Sequence, residues 1–320
     1  MTGKSQWRSP TFRLLQVCVV AVIGYFLVRY LLELNWGSFF SRLAGASPAS
    51  LALSMLATVA GGLLVALGWS LILRILGQRV PHPVAVRVYY LSELAKYVPG
   101  KIWTALGRAV LLEPWGVPKV VTISTVGIML IVLSSSGVTA AVLSLPFWPS
   151  LELRGVSPWL YPLVLALLPV GLAALHPRVF DPVLNWFLRK VEKVSEPVHL
   201  AYGSTVLLVL YWTGLWLIKG TATWILLDAI FVIPHPPPLP WLILSGVMAV
   251  SWIVGVISPF TPAGLGIAEL SIALMLPVIF GLDQPSAAAF AFLCRLWALL
   301  ADLLCVGVAL ALPGGKKGKG

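Results

Sequence analysis

Residues 84–116 read VAVRVYYLSELAKYVPGKIWTALGRAVLLEPWG, a stretch that fits neither a solvated loop nor a plain membrane span. Arg87, Glu93, Lys96, Lys101, Arg108 and Glu113 are set among Val, Leu, Tyr and Trp, so the segment is too apolar for the first and too charged for the second. Pro99-Gly100 divides it into two short helical stretches, near 84–97 and 101–112, because Pro lacks a backbone donor and Gly permits a turn. The form that reconciles these features is a hairpin entering a bilayer from one side and returning. Non-helical backbone persists at membrane depth only where protein or a water-filled cavity satisfies its polar groups. The break therefore implies a cavity.

Side-chain spacing sharpens this reading. Lys101, Thr104 and Arg108 fall at i, i+3 and i+7 and share a helical face, while Ile102, Ala105 and Ala109 fall on another. Tyr89, Glu93 and Lys96, at i, i+4 and i+7, likewise share a face of the first arm, where Glu93 reaches Lys96 as an i,i+3 ion pair. Two readings stand: basic side chains snorkel to lipid phosphates and hold the hairpin at headgroup level, or four charges converge on the Pro-Gly break as an anion-binding site.

The composition around this stretch belongs to a membrane protein. Of 320 residues, 59% are hydrophobic and 10% charged, with a mean hydropathy of +0.96, whereas a soluble domain carries about 25% charged residues. This excludes a soluble enzyme, a disordered chain and a nucleic-acid-binding domain. Runs long enough for the ~20 apolar residues of a transmembrane helix occur at 14–34, 50–76, 119–145, 156–176, 204–232, 241–257, 264–281 and 286–312. The first follows Lys4, Arg8 and Arg13 as a signal peptide would, and Ala44-Gly45-Ala46 has the look of a cleavage site. Its apolar run exceeds the ~7–15 residues of a signal, so it reads as an uncleaved anchor. The expected fold is an all-α integral membrane protein of about eight transmembrane helices. Residues 1–320 form one polytopic domain, with re-entrant elements at about 81–118 and 258–270 and a basic tail at 313–320.

The charge balance, 22 Lys and Arg against 11 Asp and Glu for a net +11, records topology. Basic residues collect before the first span (Lys4, Arg8, Arg13), between the second and third (Arg79, Arg87, Lys96, Lys101, Arg108), after the fourth (Arg178, Arg189, Lys190, Lys193) and after the eighth (Lys316, Lys317, Lys319). The alternating linkers are poor in charge. Eight crossings of a cell membrane with both termini cytoplasmic satisfy the positive-inside rule at each linker. Residues 177–199 set Val183, Trp186, Phe187 and Val191 near one helical face, as in an amphipathic helix on the cytoplasmic leaflet; a solvated connector between Pro182 and Pro197 is the simpler alternative.

A second break, SPFTPAGLGIAEL at 258–270, carries Pro259, Pro262, Gly264 and Gly266, with Glu269 just inside the following helix. A helix start gathers unpaired amide donors suited to an anion, or Glu269 itself satisfies them. Pro99 and Pro262 lie about half the chain apart. Interrupted apolar segments at corresponding places in two halves point to a transporter's midplane site and an inverted repeat, although the two halves are only weakly similar. Four further charges fall inside spans: Lys219, Asp228, Arg295 and Asp302. Each costs about 2.5–3.5 kcal/mol at a helix centre and should face the bundle interior or water. Arg295 and Asp302 lie on one face about 10 Å apart, so each needs a partner from another element.

Nothing in the sequence points to catalytic chemistry. Cys18, Cys294 and Cys305 lie in apolar runs, and His82, His176, His199 and His235 are isolated, which leaves no metal-ligand spacing. There is no DxD, HExxH or GxSxG motif and no nucleotide-binding loop. The expectation is no catalytic residue, no metal and no cofactor.

Glu93-Leu94-Ala95-Lys96-Tyr97-Val98-Pro99-Gly100-Lys101-Ile102-Trp103, with Gly107-Arg108 following, resembles the KYxPGKxW…GR signature of the lysylphosphatidylglycerol synthase transmembrane family of flippase-like proteins. Pro262-Ala263-Gly264-Leu265-Gly266-Ile267-Ala268-Glu269 is similar to its second signature, Pro-x-Gly-x-Gly-x-x-Glu, with Ala268 where Arg is common. The resemblance implies about eight helices and two re-entrant elements around a lipid-accessible cavity. In the bifunctional members this domain moves an aminoacylated phospholipid to the outer leaflet. The present sequence shows no soluble synthase domain, so the expected cargo is another polar lipid, a phospholipid or a polyprenyl-linked sugar. Carried over by position, Lys96, Lys101 and Arg108 would receive a phosphate. Glu93 and Glu269 would hold these bases or meet a cationic headgroup, and Tyr97 and Trp103 would line the cavity. Pro99, Gly100, Pro262, Gly264 and Gly266 would shape the breaks, and Arg295 would add an anion contact.

The function expected is flippase- or scramblase-like translocation of a polar lipid through a hydrated cavity. A membrane enzyme or an accessory subunit acting on a lipid-linked sugar is the alternative. The expected partners are membrane lipids with anionic or lipid-linked headgroups and no nucleic acid, with a second copy of the chain or a lipid-modifying enzyme as protein partner.

Overall fold

A computed structural model of the chain describes residues 36–97, 103–149, 176–179, 181–182, 185–186, 201–257 and 264–313. Among the described residues the regular elements are helical: α1 (Trp36–Gly45), α2 (Pro48–Ile75), α3 (His82–Glu93) with a 3-10 turn Leu94–Tyr97, α4 (Trp103–Leu112), α5 (Lys119–Ser144), α6 (Tyr202–Ile230), α7 (Pro240–Ile257), α8 (Ile267–Phe280) and α9 (Gln284–Ala311). Their ends follow from local chemistry. Ser47 caps α2 ahead of Pro48, its hydroxyl accepting from Ser50 N–H. Asp283 caps α9 ahead of Pro285 by accepting from Ser286 N–H at 3.2 Å, as short polar side chains do at helix starts. Gly77, at φ +75, closes α2 by donating to Arg74 O while Gln78 N–H reaches Leu73 O, the paired bonds of a Schellman stop.

Five helices are long and apolar enough to cross a membrane: α2, α5 with its extension to Phe147, α6, α7 and α9. They correspond to the runs at 50–76, 119–145, 204–232, 241–257 and 286–312. The run at 264–281 differs. Helix α8 has 14 residues, about 21 Å of rise against a ~30 Å hydrocarbon core. Its start is delayed because Gly264 (φ +70) and Gly266 (φ +85) turn in the left-handed region, and Gly281 (φ +68) ends it. The runs at 14–34 and 156–176 lie outside the described residues apart from His176, as do most of the amphipathic stretch 177–199 and the tail beyond residue 313. In the described part of 177–199, Asn185 is buried and donates to Asp181 O at 2.8 Å, while Trp186 is exposed. A short helix that the hydropathy pattern did not mark, α1, sets Phe39 against Phe231.

Helix α6 is central, packing on α2, α5 and α7. It runs antiparallel to α2, because Ser54 Oγ donates to Ala222 O at 2.8 Å and Tyr211 OH donates to Leu64 O at 2.6 Å. Gly220 lets α6 meet Ser245 and the Trp241 carbonyl of α7, and Gly246 lets α7 meet Ser144 of α5. Small residues permit such crossings where lipid offers no hydrophobic drive to bring helices together.

The apolar core is split in two. One cluster joins α2 and α3 to Ile128 and Val132 of α5, Leu208–Leu215 of α6, and Cys305 and Ala309 of α9. The other joins Phe39, Ala140, Leu226–Phe231 of α6, α7, α8 and Ala287–Leu293 of α9. Between them on α6 and α9 fall Lys219, Arg295 and Asp302. The outward faces of the bundle carry exposed Leu53, Leu56, Leu207, Leu210, Leu274 and Leu303, apolar surface suited to acyl chains.

Candidate functional site

The segment that opened the sequence analysis folds as a helical hairpin against α9. Arg87 donates from Nη1 to Leu312 O at 2.6 Å and to Leu310 O at 3.3 Å, while Lys96 Nζ lies 2.7 Å from Asp302 Oδ2. Thus α3 starts beside the last turn of α9, runs antiparallel to it and brings Lys96 toward the middle of a membrane-length helix. The second arm returns along the first: Gly107 of α4 packs on Ser92 of α3, where a methyl would come within 3.2 Å of the Ser92 side chain. The hydroxyl of Ser92, turned back onto Val88 O and Tyr89 O, keeps that face flat enough for the glycine to approach. His82 anchors the entry, its Nδ1 2.8 Å from Ser70 Oγ and its Nε2 2.7 Å from Arg74 Nη1.

Arg108 sits where the arms meet. Its side chain is buried, with Nη2 2.8 Å from Glu93 Oε2. Its guanidinium carbon stands 4.2 Å from the Tyr89 ring centroid and 4.9 Å from that of Trp69. Trp69 is held in turn by Nε1 donating to Thr125 Oγ1 at 2.9 Å. A planar cation stacks on two rings and meets one carboxylate, a set of contacts that a lysine could not reproduce. Glu93 also lies 3.5 Å from Lys96 Nζ, so the chain of charge runs Arg108, Glu93, Lys96, Asp302. Beside it is a shallow crevice lined by Tyr90, Glu93, Leu94, Lys96, Asp302 and Val306.

The second break is tied to the same helix. Gly264 lies against Gly255 of α7, whose Cα would be 2.8 Å from any Cβ at Gly264, so the chain returns close beside the helix it has just left. Glu269 Oε2 accepts from Gly266 N–H at 2.7 Å, satisfying one of the amides at its own helix start, and Oε1 lies 3.6 Å from Arg295 Nη1. Glu269 is 8% exposed. Arg295 and Asp302 thus bind different breaks from one face of α9. Between them, on α6, Lys219 stands 5.1 Å from the Trp216 ring centroid and within electrostatic range of Cys294, Arg295, Lys96 and Asp302.

The structure therefore brings together Glu93, Lys96 and Arg108 in one group, and Gly264, Gly266, Glu269 and Arg295 in another, both on α9. Trp103 is 46% exposed at the start of α4 and Thr104 is half-buried one residue on. Tyr97 ends the 3-10 turn. Pro99, Gly100, Lys101 and Pro262 lie outside the described residues. Four members of these groups had no place among the expected site residues, Tyr89 having been noted only for its spacing with Glu93 and Lys96. Asp302 was marked only as an intramembrane charge in need of a partner. Trp69 and Ser92 carried no signal, since an indole or a hydroxyl in an apolar run is ordinary core. Among the described residues no three His, Cys, Asp or Glu side chains converge to hold a metal ion.

A family model described as the lysylphosphatidylglycerol synthase TM region matches residues 13–305. The chain belongs to this family. Membership and five apolar helices make it a multi-pass membrane protein of a family connected with lipid handling. The matched region takes in both broken segments and Asp302, so the charge groups built around α9 lie within the synthase TM region. A search of curated proteins finds no match.

Proposed function

We propose that the protein translocates a polar, phosphate-bearing lipid between leaflets of a cell membrane, the headgroup passing through a hydrated cavity while the acyl chains stay in the bilayer. The observation that carries this reading is the attachment of two interrupted segments to one membrane-length helix by charged pairs, Lys96 with Asp302 and Glu269 with Arg295. Ionisable groups are costly at this depth. Two charged pairs linked to backbone breaks, one partly exposed and one largely buried, are what a polar cargo path requires and a purely structural bundle does not.

In this reading the broken segments are re-entrant from the cytoplasmic side, both termini are cytoplasmic, and the first and fourth runs complete eight crossings. Lys96 and Arg295 exchange a carboxylate for the lipid phosphate as the headgroup passes. Arg108, enclosed by Glu93, Tyr89 and Trp69, holds the hairpin in shape and does not touch the cargo. No catalytic residue or cofactor is invoked.

The test is reconstitution of the purified chain into liposomes containing headgroup-labelled phospholipids, with an impermeant quencher added outside. Loss of the inner-leaflet signal faster than in protein-free vesicles, reduced at least ~10-fold by Asp302→Asn with Glu269→Gln, supports translocation. Equal rates with and without protein across phosphatidylglycerol, phosphatidylethanolamine and polyprenyl phosphate overturn it.

A further inference from the structure

We infer that Lys219 is a further anion-receiving group beside Lys96 and Arg295, an ammonium that binds the phosphate of the cargo directly; this rests on the translocation reading and assigns the residue within it. The argument begins with charge pairing. Three cations of the central region each meet a carboxylate: Arg108 and Lys96 meet Glu93, Lys96 also meets Asp302, and Arg295 meets Glu269. Three carboxylates answer three cations. Lys219 is the fourth cation, and among the described residues no carboxylate comes within ion-pair distance of it; its contact is the Trp216 ring.

Position makes that charge available. Lys219 lies in the central third of α6, where Leu208–Leu215 belong to one apolar cluster and Trp216 and Leu226–Ile230 to the other. It is exposed, and groups of two other elements act on it electrostatically: the adjacent Cys294 and Arg295 and, further along, Asp302 of α9, and Lys96 of the hairpin. Its accessible ammonium thus shares its surroundings with polar groups of α9 and of the hairpin. An ammonium at that depth requires water or an anion.

Orientation is provided by its neighbour. Trp216 Nε1 donates to Ser136 Oγ at 3.2 Å, and its ring packs edge-on to Trp252 at 5.9 Å between centroids. The indole is fixed to α5 and α7, so the ammonium above it is held near the middle of α6, with no carboxylate among the described residues at ion-pair distance. A compact, strongly charged ammonium with three rotatable donors suits the tetrahedral oxygens of a phosphate that must be released again. The chemical class received is a phosphate monoester or diester, which a lipid headgroup or free phosphate could supply.

The experiment measures thermal unfolding of the purified full chain in a neutral detergent with dioctanoyl phosphatidylglycerol, dioctanoylglycerol or inorganic phosphate. Stabilisation by the first and not the second, retained in Lys219→Arg and in the surface control Lys119→Gln but weakened at least ~10-fold in apparent affinity in Lys219→Gln, establishes the assignment. A shift with inorganic phosphate that also needs Lys219 supports the anion site and makes free phosphate its ligand, which counts against lipid translocation alone. An undiminished shift in Lys219→Gln overturns the assignment and leaves translocation standing on its liposome assay. No shift in the wild type with any phosphate probe overturns it as well.

Discussion

Arg295 and Asp302 lie two turns apart on one face of α9 and hold different partners: Arg295 meets Glu269 of the second broken segment, Asp302 meets Lys96 of the first. One rigid helix thereby fixes the spacing of two breaks that are distant in sequence. Movement of either break relative to the other must strain or exchange one of these pairs.

The first prediction concerns that linkage. Asp302→Asn and Lys96→Gln should each lower stability by about 1–2 kcal/mol, because a partly buried charge loses its partner. The double variant should lose less than the sum, giving a coupling energy of about 0.5–2 kcal/mol. Equilibrium unfolding in mixed micelles reads the cycle. Strict additivity would show that the 2.7 Å pair contributes nothing.

Arg108 should be the most sensitive position of the hairpin. Arg108→Gln leaves Glu93 without its 2.8 Å partner and removes the cation from between Tyr89 and Trp69. A loss of about 3–5 kcal/mol is expected, and Arg108→Lys should recover only part because it cannot stack and bridge together. Adding Glu93→Gln to Arg108→Gln should restore some stability by removing a partly buried carboxylate left with Lys96 alone. A fully stable Arg108→Gln would refute the positioning role.

The two glycine crossings should respond differently to the same methyl. Gly246→Ala meets the side chain of Ser144, so Ser144→Gly on the facing helix should rescue it. Gly220→Ala meets backbone atoms of Ser245 and Trp241 as well as the Ser245 hydroxyl, and no side-chain change can relieve that contact. Each single variant should lose about 1–3 kcal/mol. Folded yield and thermal unfolding of the four variants check the contrast.

Asp283 provides a pH test outside the spans. Its hydrogen bond from the Ser286 side chain, with the Ser286 backbone amide adding to it, holds the carboxyl below its ordinary range. A carboxylate with a lowered folded pKa contributes stability that is present above its unfolded pKa and lost as pH falls through the folded value. Asp283→Ala should cost about 1 kcal/mol at neutral pH, the usual effect of removing a helix cap. The difference from wild type should shrink in acid. A pH-independent difference would remove the charged cap as its cause.

Orientation is open to labelling. With the native cysteines replaced, single cysteines at Gln78 and Gly116 should react with an impermeant thiol reagent only in inverted vesicles, and those at His235 and Asp283 only in closed cells. Both pairs lie outside membrane-length helices on opposite ends of the bundle. Labelling of Gln78 and His235 from the same side would contradict the eight-crossing topology.

The long helices were legible because a bilayer span must satisfy its backbone internally and present apolar side chains, a requirement that acts on each run of about 20 residues independently. Pro48, Asp283 and Gly77 mark helix ends for equally local reasons. Helix α8 was overestimated because hydropathy counts Gly264-Leu265-Gly266 as apolar, whereas both glycines take left-handed backbone that no helix continues.

The Glu93–Lys96 pair, three residues apart on one helix, was readable in the same local way. Helical spacing could also show that Arg295 and Asp302 needed partners, since it forbids them each other. It could not name Glu269 and Lys96, and it could not distinguish Arg108, closed between two rings, from Lys219, left without a carboxylate. Those outcomes depend on which helix faces which, a product of packing between elements up to 206 positions apart. Composition and periodicity determine the helices and where they break; the pairing of buried charges is decided only when the helices meet, because a charge takes its partner by distance in space, not along the chain.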